Sequence, residues 1–380
     1  MKKMMERKMW PVWAGIFLLF ACGNRTAADG ETGNGRWPLP DPPAEISGIW
    51  SSRAELALLP MTGPGWREVL TDASKDTSHP DVGNQDDNTN CYVLAAAIVS
   101  ERLAAAGSSD EAAAYRKKVV DAVERIVRDG QSEGSRTLAW GREIGAYAMA
   151  ADLVGYRTEA FERYLKEAAD GWICSARHQT LHEMTLTRPN NWGSMGLGTM
   201  CAIYAYLGDQ NALHTIRDIW MTTLNGPSAE GFKYGDDLSW QADPSRPMII
   251  NPAGTVKEGL SLDGLQPEEM RRGAPFSARD IAATGYPFEA LQGWIMAARI
   301  LERQGMPIWE EGDRALYRAV YALQVYLTER CGPSWAFAGD DLWILEFVDR
   351  AYGSDFAKNQ NVWGHGKNAG YPYVAQFSQK

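Results

Sequence analysis

The feature that most constrains the fold is a repeated pairing of two kinds of helical segment. The first member of each pair is apolar on nearly all sides, as in VLAAAIV and IGAYAMAADLV, and the second carries charge along one side, as in YRKKVVDAVERIV. In both kinds of segment the apolar residues repeat with the helical period of 3.6 residues. A helix that is apolar all round needs burial, whereas a one-faced helix suits a surface. The pairs are residues 88–106 with 110–128, 141–154 with 158–173, 192–207 with 210–224, and 287–304 with 309–329.

Repeated inner–outer hairpins of this kind predict an all-α fold, specifically an (α/α) barrel or toroid. Further helices are expected near residues 53–59, 65–73 and 341–351, and no run of alternating β-branched residues predicts a strand. A helical-repeat solenoid is the competing architecture. The pairs share no visible repeat consensus, which favours the barrel.

The N-terminus has a different character. Four basic residues precede the apolar run VWAGIFLLFA, which ends at Cys22. This is the pattern of a secretory signal over residues 1–21, and the run is too short for a comfortable membrane span. LFAC resembles a bacterial lipobox, so we expect Cys22 to be lipidated; an ordinary signal peptide is the alternative. Residues 22–44 suit a flexible tether, and one catalytic domain is expected over 45–380.

Charge and cysteine content exclude two classes of function. The formal net charge is −10, and removal of the basic leader makes the chain more acidic still. An acidic surface argues against nucleic acid as a partner. The cysteines show no metal-ligand spacing, so no structural zinc is expected. Cys91 and Cys201 lie within apolar helical patterns and are predicted to be core thiols.

Residues 226–284 interrupt the helical pattern. They are rich in Gly, Pro and Asp, and their hydrophobic residues have no sustained period. Long irregular segments inside a compact domain are uncommon and usually functional. We therefore expect a lid or wall over a site, in which Arg271 and Arg272 are candidate clamps for an anionic ligand.

The N-termini of the inner helices should collect at one mouth of a toroid, where helix-end N–H groups attract anions. The residues predicted there are mainly amides, aromatics, carboxylates and one arginine. They include Gln85, Asn88, Arg142, Glu143, Asn190, Asn191, Trp192, Tyr286, Glu289, Asp340 and Asp341.

The segment TRPNNWGSMG holds the most informative of these starts. One asparagine is expected to cap the helix, while its neighbour faces the mouth. Trp192 is either a core residue or a platform for a sugar ring. Pro287 fits the first helical position, which would place Tyr286 at the cap and pointing into the mouth. His182 and His365 lie in segments that could also reach the site.

The segments SGIWSSRAELALLPMTGPGW, RPNNWGSMGLGTMCAIYAYLGD, MRRGAP and YPFEALQGWIMAARIL resemble bacterial alginate-lyase-like polysaccharide lyases, most closely polysaccharide lyase family 38. The resemblance covers about residues 46–352. It implies an (α/α)-barrel enzyme that cleaves uronate polymers, alginate or glucuronan, by β-elimination without a metal or organic cofactor. In other members of this superfamily a His follows the paired Asn and serves as base. Trp192 stands at that position here.

The uronate carboxylate must be neutralised for the C5 proton to leave, and amide and arginine donors do this. We assign that role to Asn191 with Asn190, helped by Arg272. We assign base and acid to Tyr286, because a neighbouring arginine, Arg272 or Arg142, favours phenolate. His182 is a further catalytic candidate. The predicted substrate-binding residues are Trp192, Arg142, Gln85, Asn88, Glu289, Gln292, Arg271 and His365.

Two alternatives remain open from the sequence. A glycoside hydrolase on the same toroid would use a carboxylate pair drawn from Asp87, Glu143, Glu289 and Asp341. A non-catalytic glycan-binding lipoprotein would bind sugar without turnover. In each case we expect an exported monomer, periplasmic or at the cell surface, that contacts the membrane only through its lipid.

Overall fold

The computed structural model describes residues 47–129, 136–175, 178–227, 231–332, 335, 339–359 and 363–377. The predicted signal, the tether and Cys22 lie outside these ranges. The predicted all-α class is confirmed. The α-helices are α1 Arg53–Leu58, α2 Gly63–Ser74, α3 Thr89–Ala105, α4 Ser109–Asp129, α5 Thr137–Leu153, α6 Glu159–Lys166, α7 Leu181–Thr187, α8 Asn191–Leu207, α9 Gln210–Asn225, α10 Pro267–Met270, α11 Tyr286–Arg303, α12 Glu311–Tyr321, α13 Thr328–Cys331 and α14 Ile344–Tyr352.

Shorter elements complete the description. Two antiparallel strands, β1 Val256–Lys257 and β2 Leu260–Ser261, form a small hairpin that the sequence pattern does not predict. Single π-helical turns follow α6 and α12, over Glu167–Gly171 and Ala322–Leu327. Short 3₁₀ turns cover Gly339–Trp343, Phe356–Asn359 and Pro372–Ala375. No helix among the described residues has the length and apolar character needed to cross a membrane.

The inner helices follow one another around a ring. α3 packs against α5, α5 against α8, α8 against α11, and α11 against α14. The 3₁₀ turn Pro372–Ala375 contacts both α14 and α2, and α2 packs on α3, so the C-terminal segment joins the two ends of the ring. The inner members are almost entirely buried, whereas α4 buries one face only. The predicted inner–outer toroid is thus the observed architecture.

Glycines allow the inner helices to approach closely near one end. A Cβ at Gly293 of α11 would collide with the backbone of Ser194 in α8. A Cβ at Gly145 of α5 would lie 2.6 Å from the Thr199 hydroxyl of α8. Gly145 and Thr199 lie at the middle of their helices, whereas Gly293 and Ser194 lie in the first half of theirs. The contact between Gly293 and Ser194 therefore holds the starts of α8 and α11 close together.

A buried ionic cluster ties α1 to the other end of α11. Glu55 is fully buried and accepts hydrogen bonds from Arg303 at 2.7 Å and from Arg299 at 3.3 Å. Burial opposes ionisation of Glu55, but the two guanidinium groups outweigh it and lower its pKa. A buried carboxylate needs such partners to remain charged.

Candidate active site

The start of α8 gives the two adjacent asparagines different positions. Asn190 is the N-cap, and its side-chain oxygen accepts a hydrogen bond from the Trp192 N–H at 3.1 Å. Asn191 is the first helical residue and is buried. Its Nδ2 donates to Glu289 Oε1 at 2.9 Å, and its Oδ1 accepts from Arg272 Nη1 at 2.7 Å. This arrangement agrees with one amide capping and the other facing inward; the catalytic role stays a prediction.

Arg272 connects Asn191 to Tyr286. Its guanidinium carbon lies 3.1 Å from the centre of the Tyr286 ring. A guanidinium over an aromatic face is attracted by the negative face of the ring. Tyr286 is 36% exposed. The tyrosine is therefore at the protein surface, beside a positive charge, where a ligand can reach it.

Tyr286 lies one residue further into its helix than the sequence indicates. The N-cap of α11 is Gly285, and Tyr286 is the first helical residue. Pro287 is tolerated in this first turn because an N–H there has no partner within the helix. The predicted cap position is thus wrong by one residue, whereas the proximity of Tyr286 to Arg272 is as expected.

Glu289 and Arg142 hold the Asn191 side chain from its buried side. Glu289 Oε1 accepts both the Asn191 amide and a hydrogen bond from Arg142 Nη2. Arg142 also donates from Nη1 to the Gln85 carbonyl oxygen at 2.9 Å. Burial lowers the pKa of Arg142, and nearby carboxylates, Glu143 first, oppose that effect. Arg142 is nearly inaccessible and contacts Glu289; its predicted role as a substrate ligand stays a prediction.

The predicted position of Arg142 at a helix start is also wrong. α5 begins at Thr137, four residues before Gly141. The segment TLAW that forms its first turn is apolar and has no capping side chain, which removes the signal that sequence reading uses for a start. Arg142 reaches Glu289 from the second turn of the helix.

Glu269 is a site residue that the sequence interpretation missed. It is fully buried, accepts a hydrogen bond from the Asn191 backbone N–H, and accepts another from Arg272 Nη1 at 3.2 Å. Burial raises its pKa to about 7, against the opposing effect of Arg272 and the Asn191 N–H. The signal was the spacing in PEEMRR, where each Glu precedes an Arg by three residues and can pair with it on one helical turn.

The family model described as alginate lyase matches residues 252–330. This chain is similar to alginate lyases. The matched part contains β1, β2, α10, α11 and α12, and with them Glu269, Arg272, Tyr286 and Glu289. The match supports a polysaccharide lyase. A search of curated proteins returned no match to the chain.

In this alginate-lyase-like chain, a cavity of about 290 Å³ adjoins Arg272, which contacts Asn191 and Tyr286. Trp192 and Arg271, both predicted to bind substrate, line it together with Arg272. Arg188, which the sequence interpretation did not select, and Asn190 complete the lining. Trp192 is half-buried, so it offers part of its ring to the cavity.

His182 is not brought to this site. Its Nδ1 lies 3.3 Å from the Tyr204 hydroxyl and 3.2 Å from Asp170. Tyr204 stands thirteen residues after Asn191 on α8, about 20 Å along the helix axis at 1.5 Å per residue. His182 is close to the paired asparagines in sequence, but α7 packs alongside α8 and places it away from Asn191. Its catalytic role stays a prediction.

His365 and Gln292 belong to the packing of the C-terminal segment. The His365 ring makes edge contacts with Tyr92 and Tyr371, and its Nδ1 lies 2.6 Å from the Gly366 oxygen. Gln292 is fully buried, and its Oε1 accepts hydrogen bonds from Trp343 Nε1 and the backbone N–H after Gly366. Gln292 is buried away from the protein surface, whereas His365 is half-buried. The predicted binding roles of both residues stay predictions.

The capping contact at the start of α3 comes from the residue before its N-cap. Asn88 occupies the N-cap position without a side-chain capping bond. Asp87 makes that contact instead, accepting the N–H of Thr89 at 3.2 Å and its hydroxyl at 2.8 Å. The side chains of Asn88 and Gln85 remain half-buried at the mouth, so their predicted binding roles stay open to test.

Glu143 is unsuited to the carboxylate pair of a hydrolase. It is buried, and neither carboxyl oxygen has a hydrogen-bond partner among the described residues. Burial raises its pKa well above the ordinary value, and the neighbouring Asp87 adds to this. Asp341 is also buried and lies near enough to Arg142 to raise its pKa. Within the described ranges, no group of three or more His, Cys, Asp or Glu side chains could hold a metal ion.

Proposed function

We propose that this protein is a polysaccharide lyase that cleaves a uronate polymer, alginate or glucuronan, by β-elimination. The observation that carries the proposal is the position of Arg272, which contacts the Asn191 amide at 2.7 Å and the Tyr286 ring at 3.1 Å. The Arg272 guanidinium, which can neutralise a carboxylate, and the Tyr286 hydroxyl, which can carry a proton, thus belong to the same site. This is the combination that elimination next to a carboxylate requires.

Neutralisation of the substrate carboxylate is the first requirement. Among the described residues Arg272 donates only through Nη1, which leaves Nη2 and Nε for a carboxylate. The buried Asn191 side chain holds this guanidinium through its Oδ1, at a helix start that favours negative charge. These donors are held in place before substrate arrives, so they stabilise the enolate-like intermediate without reorganisation.

Proton transfer is the second requirement. Tyr286, through its hydroxyl oxygen acting as the base, takes the C5 proton, and the C5–H electron pair moves onto the neutralised carboxylate. This pair then forms the C4=C5 double bond as the C4–O bond to the next sugar breaks and its electron pair goes to the leaving oxygen. Tyr286 returns the proton to that oxygen and regains its starting state. One residue on one face of the sugar suffices for both transfers.

The position of the carboxylates supports elimination over hydrolysis. An inverting or retaining hydrolase needs two accessible carboxyl groups on either side of the bond. Glu289 is bound to Arg142 and Asn191, and Glu143 is buried. The Arg272–Tyr286 pair, by contrast, is accessible. A non-catalytic glycan-binding protein would have no need of a tyrosine held beside a guanidinium.

Product mass tests the proposal against its rivals. Digestion of a uronate polymer, followed by mass spectrometry of the oligosaccharides, should give fragments lighter by one water than hydrolysis products. Fragments of hydrolytic mass would support the glycoside hydrolase, and an unchanged polymer that still binds the protein would support the binding function.

The proposal also includes export of the protein and its attachment to a membrane. The sequence pattern at Cys22 supports an exported lipoprotein, held to the membrane by its lipid alone, that meets an anionic polysaccharide as a monomer. Incorporation of a labelled fatty acid into the wild-type protein, and its loss in Cys22→Ser, is the expected result. Equal labelling of both proteins would contradict lipidation at Cys22.

A further inference from the structure

Two neighbouring glutamates of α10 bind their arginines in different ways. In both pairs the arginine follows the glutamate by three residues, a spacing that brings the side chains together on one helical turn. Arg271 donates from Nε and Nη2 to Glu268 Oε2, at 2.9 and 2.7 Å. Arg272 donates to Glu269 Oε2 from Nη1 alone, at 3.2 Å. The first pair is thus a close ion pair through two N–H groups, whereas the second is a single, longer contact.

The Glu269 carboxylate joins two separate parts of the site. Its Oε1 accepts the backbone N–H of Asn191, the first residue of α8, and its Oε2 accepts the Arg272 guanidinium. Glu269 is 0% exposed, so both oxygens are shielded from water. The same guanidinium contacts the Tyr286 ring. Glu269 therefore holds the start of α8 and the arginine of the reaction site in one relative position.

Nη1 of Arg272 is shared between two acceptors. It lies 2.7 Å from Asn191 Oδ1 and 3.2 Å from Glu269 Oε2. An ionised carboxylate is a stronger acceptor for a guanidinium than a neutral amide is. When Glu269 is ionised, it attracts the guanidinium toward α10 and offsets part of its positive charge. When Glu269 is neutral, the amide keeps the guanidinium, and the whole positive charge is available to a substrate carboxylate.

The surroundings of Glu269 bring its ionisation close to neutral pH. Burial raises its pKa to about 7, and the charge of Glu268 adds to this, whereas Arg272 and the Asn191 N–H oppose it. The helix α11 packs against α10, and α8 contains no charged residue. The titratable and charged groups of α10 and α11 that contact Glu269, or contact its two donor residues, are Glu268, Arg272, Tyr286 and Glu289.

We propose that Glu269 is a positioning residue whose protonation releases Arg272 to bind the substrate carboxylate, so that the polymer is bound best when Glu269 is neutral. The inference rests on the proposed function and adds control of that site by pH. Glu269 touches no reacting atom and acts through Arg272 and the start of α8. Its effect therefore falls on substrate binding, whereas proton transfer by Tyr286 determines kcat.

The pH dependence of KM tests this role. Initial rates are measured on the polymer that yields product, among polymannuronate, polyguluronate and glucuronan. Wild-type KM should rise about 10-fold as the pH passes upward through about 7, since a neighbouring charge of opposite sign alters ionic interactions by this order. Glu269→Gln imitates the neutral acid at every pH, so its KM should stay at the low value. An equal rise of KM in wild type and Glu269→Gln would overturn the proposal.

Glu268→Gln is the matched control. Glu268 is buried on the same helix and precedes its arginine by the same three residues, but it has no contact with Arg272 or Asn191 among the described residues. Whatever its rate, Glu268→Gln should keep the wild-type rise of KM with pH. A KM that is independent of pH in Glu268→Gln as well would show that any loss of a buried carboxylate has this effect, and would overturn a specific role of Glu269.

The Asn191 backbone amide gives a second measurement that needs no substrate. Protein labelled with ¹⁵N-asparagine is titrated in a nuclear magnetic resonance experiment, and the Asn191 signal is assigned by its loss in Asn191→Gln. In wild type this signal should shift with a midpoint near pH 7, because its N–H donates to Glu269. The shift should be absent in Glu269→Gln. Since wild type alone supplies the titration, the test holds even if that variant does not fold.

The two measurements separate the two levels of proposal. An Asn191 amide that titrates near pH 7, with no elimination product from wild type on any polymer, would overturn the proposed function and support the coupling of Glu269 to α8. Normal product formation with a wild-type KM that does not rise through pH 7 would overturn the role of Glu269 alone. A wild-type amide signal that stays constant across this range would overturn it as well.

Discussion

The guanidinium of Arg272 lies 3.1 Å from the centre of the Tyr286 ring. The same guanidinium donates to the Asn191 side chain and to buried Glu269. A tyrosine, an amide and a carboxylate from three separate segments thus depend on one arginine for their relative positions.

Tyr286→Phe should lower kcat on a uronate polymer by about 100-fold or more, because general acid–base groups contribute roughly 10²–10⁴ in rate. The ring and its contact with Arg272 remain, so the fold and KM should change little. Initial rates at saturating polymer measure the loss. Tyr321→Phe, an exposed tyrosine on α12, is the control. A Tyr286→Phe variant with near wild-type kcat would remove Tyr286 from the mechanism.

The two asparagines should respond differently to alanine. Asn190→Ala removes the capping bond to the Trp192 N–H and should lower the free energy of unfolding by about 1 kcal/mol. Asn191→Ala removes the side-chain oxygen that holds the Arg272 guanidinium in place and should lower kcat by about 100-fold. Denaturant unfolding and initial rates, measured on both variants, give the comparison. Equal losses of kcat in the two variants would contradict the division of roles.

Arg142 and Glu289 should behave as a buried ion pair. Arg142→Gln leaves Glu289 buried without its guanidinium partner and should cost about 3–5 kcal/mol in the free energy of unfolding. Adding Glu289→Gln to the same chain should restore part of that loss, because the uncompensated charge is gone. Chemical denaturation of the two single variants and the double variant measures the coupling. Strictly additive losses would show that the two side chains do not interact.

Glu269 should make stability depend on pH. Burial raises its pKa from 4.5 to about 7, so the folded protein binds this proton more tightly than the unfolded chain does. The stability that follows is fully present below about pH 4.5 and is lost as the pH rises through about 7. Glu269→Gln should therefore flatten the fall in unfolding free energy between pH 5 and pH 8. Parallel pH profiles for wild type and variant would contradict this.

The fold was predictable because the apolar inner helices repeat along the chain. Cys91 and Cys201 are buried in α3 and α8 as expected. The boundaries of α8 and α11 agree with the prediction within one residue because Asn190, Pro287 and Gly208 give clear signals. The start of α5 has no such signal, and the prediction there is four residues late.

The site was less predictable because its contacts cross between segments. Asn191, Arg272 and Tyr286 could be selected by residue type, but Glu269 gives no sign of burial in the sequence. His182 shows the opposite case. Nearness in sequence to Asn191 suggested a role, whereas the path of the chain places His182 beside Tyr204. Spatial position within the ring, and not residue type, decides both cases.

The ultraviolet absorbance of the unsaturated product tests directly whether this protein cleaves uronate polymers by β-elimination. Wild-type protein is mixed in turn with polymannuronate, polyguluronate and glucuronan, and the absorbance of the conjugated double bond is followed. We expect a steady rise on at least one polymer. New reducing ends without any rise in absorbance, or no change on all three polymers, would contradict uronate β-elimination by this protein.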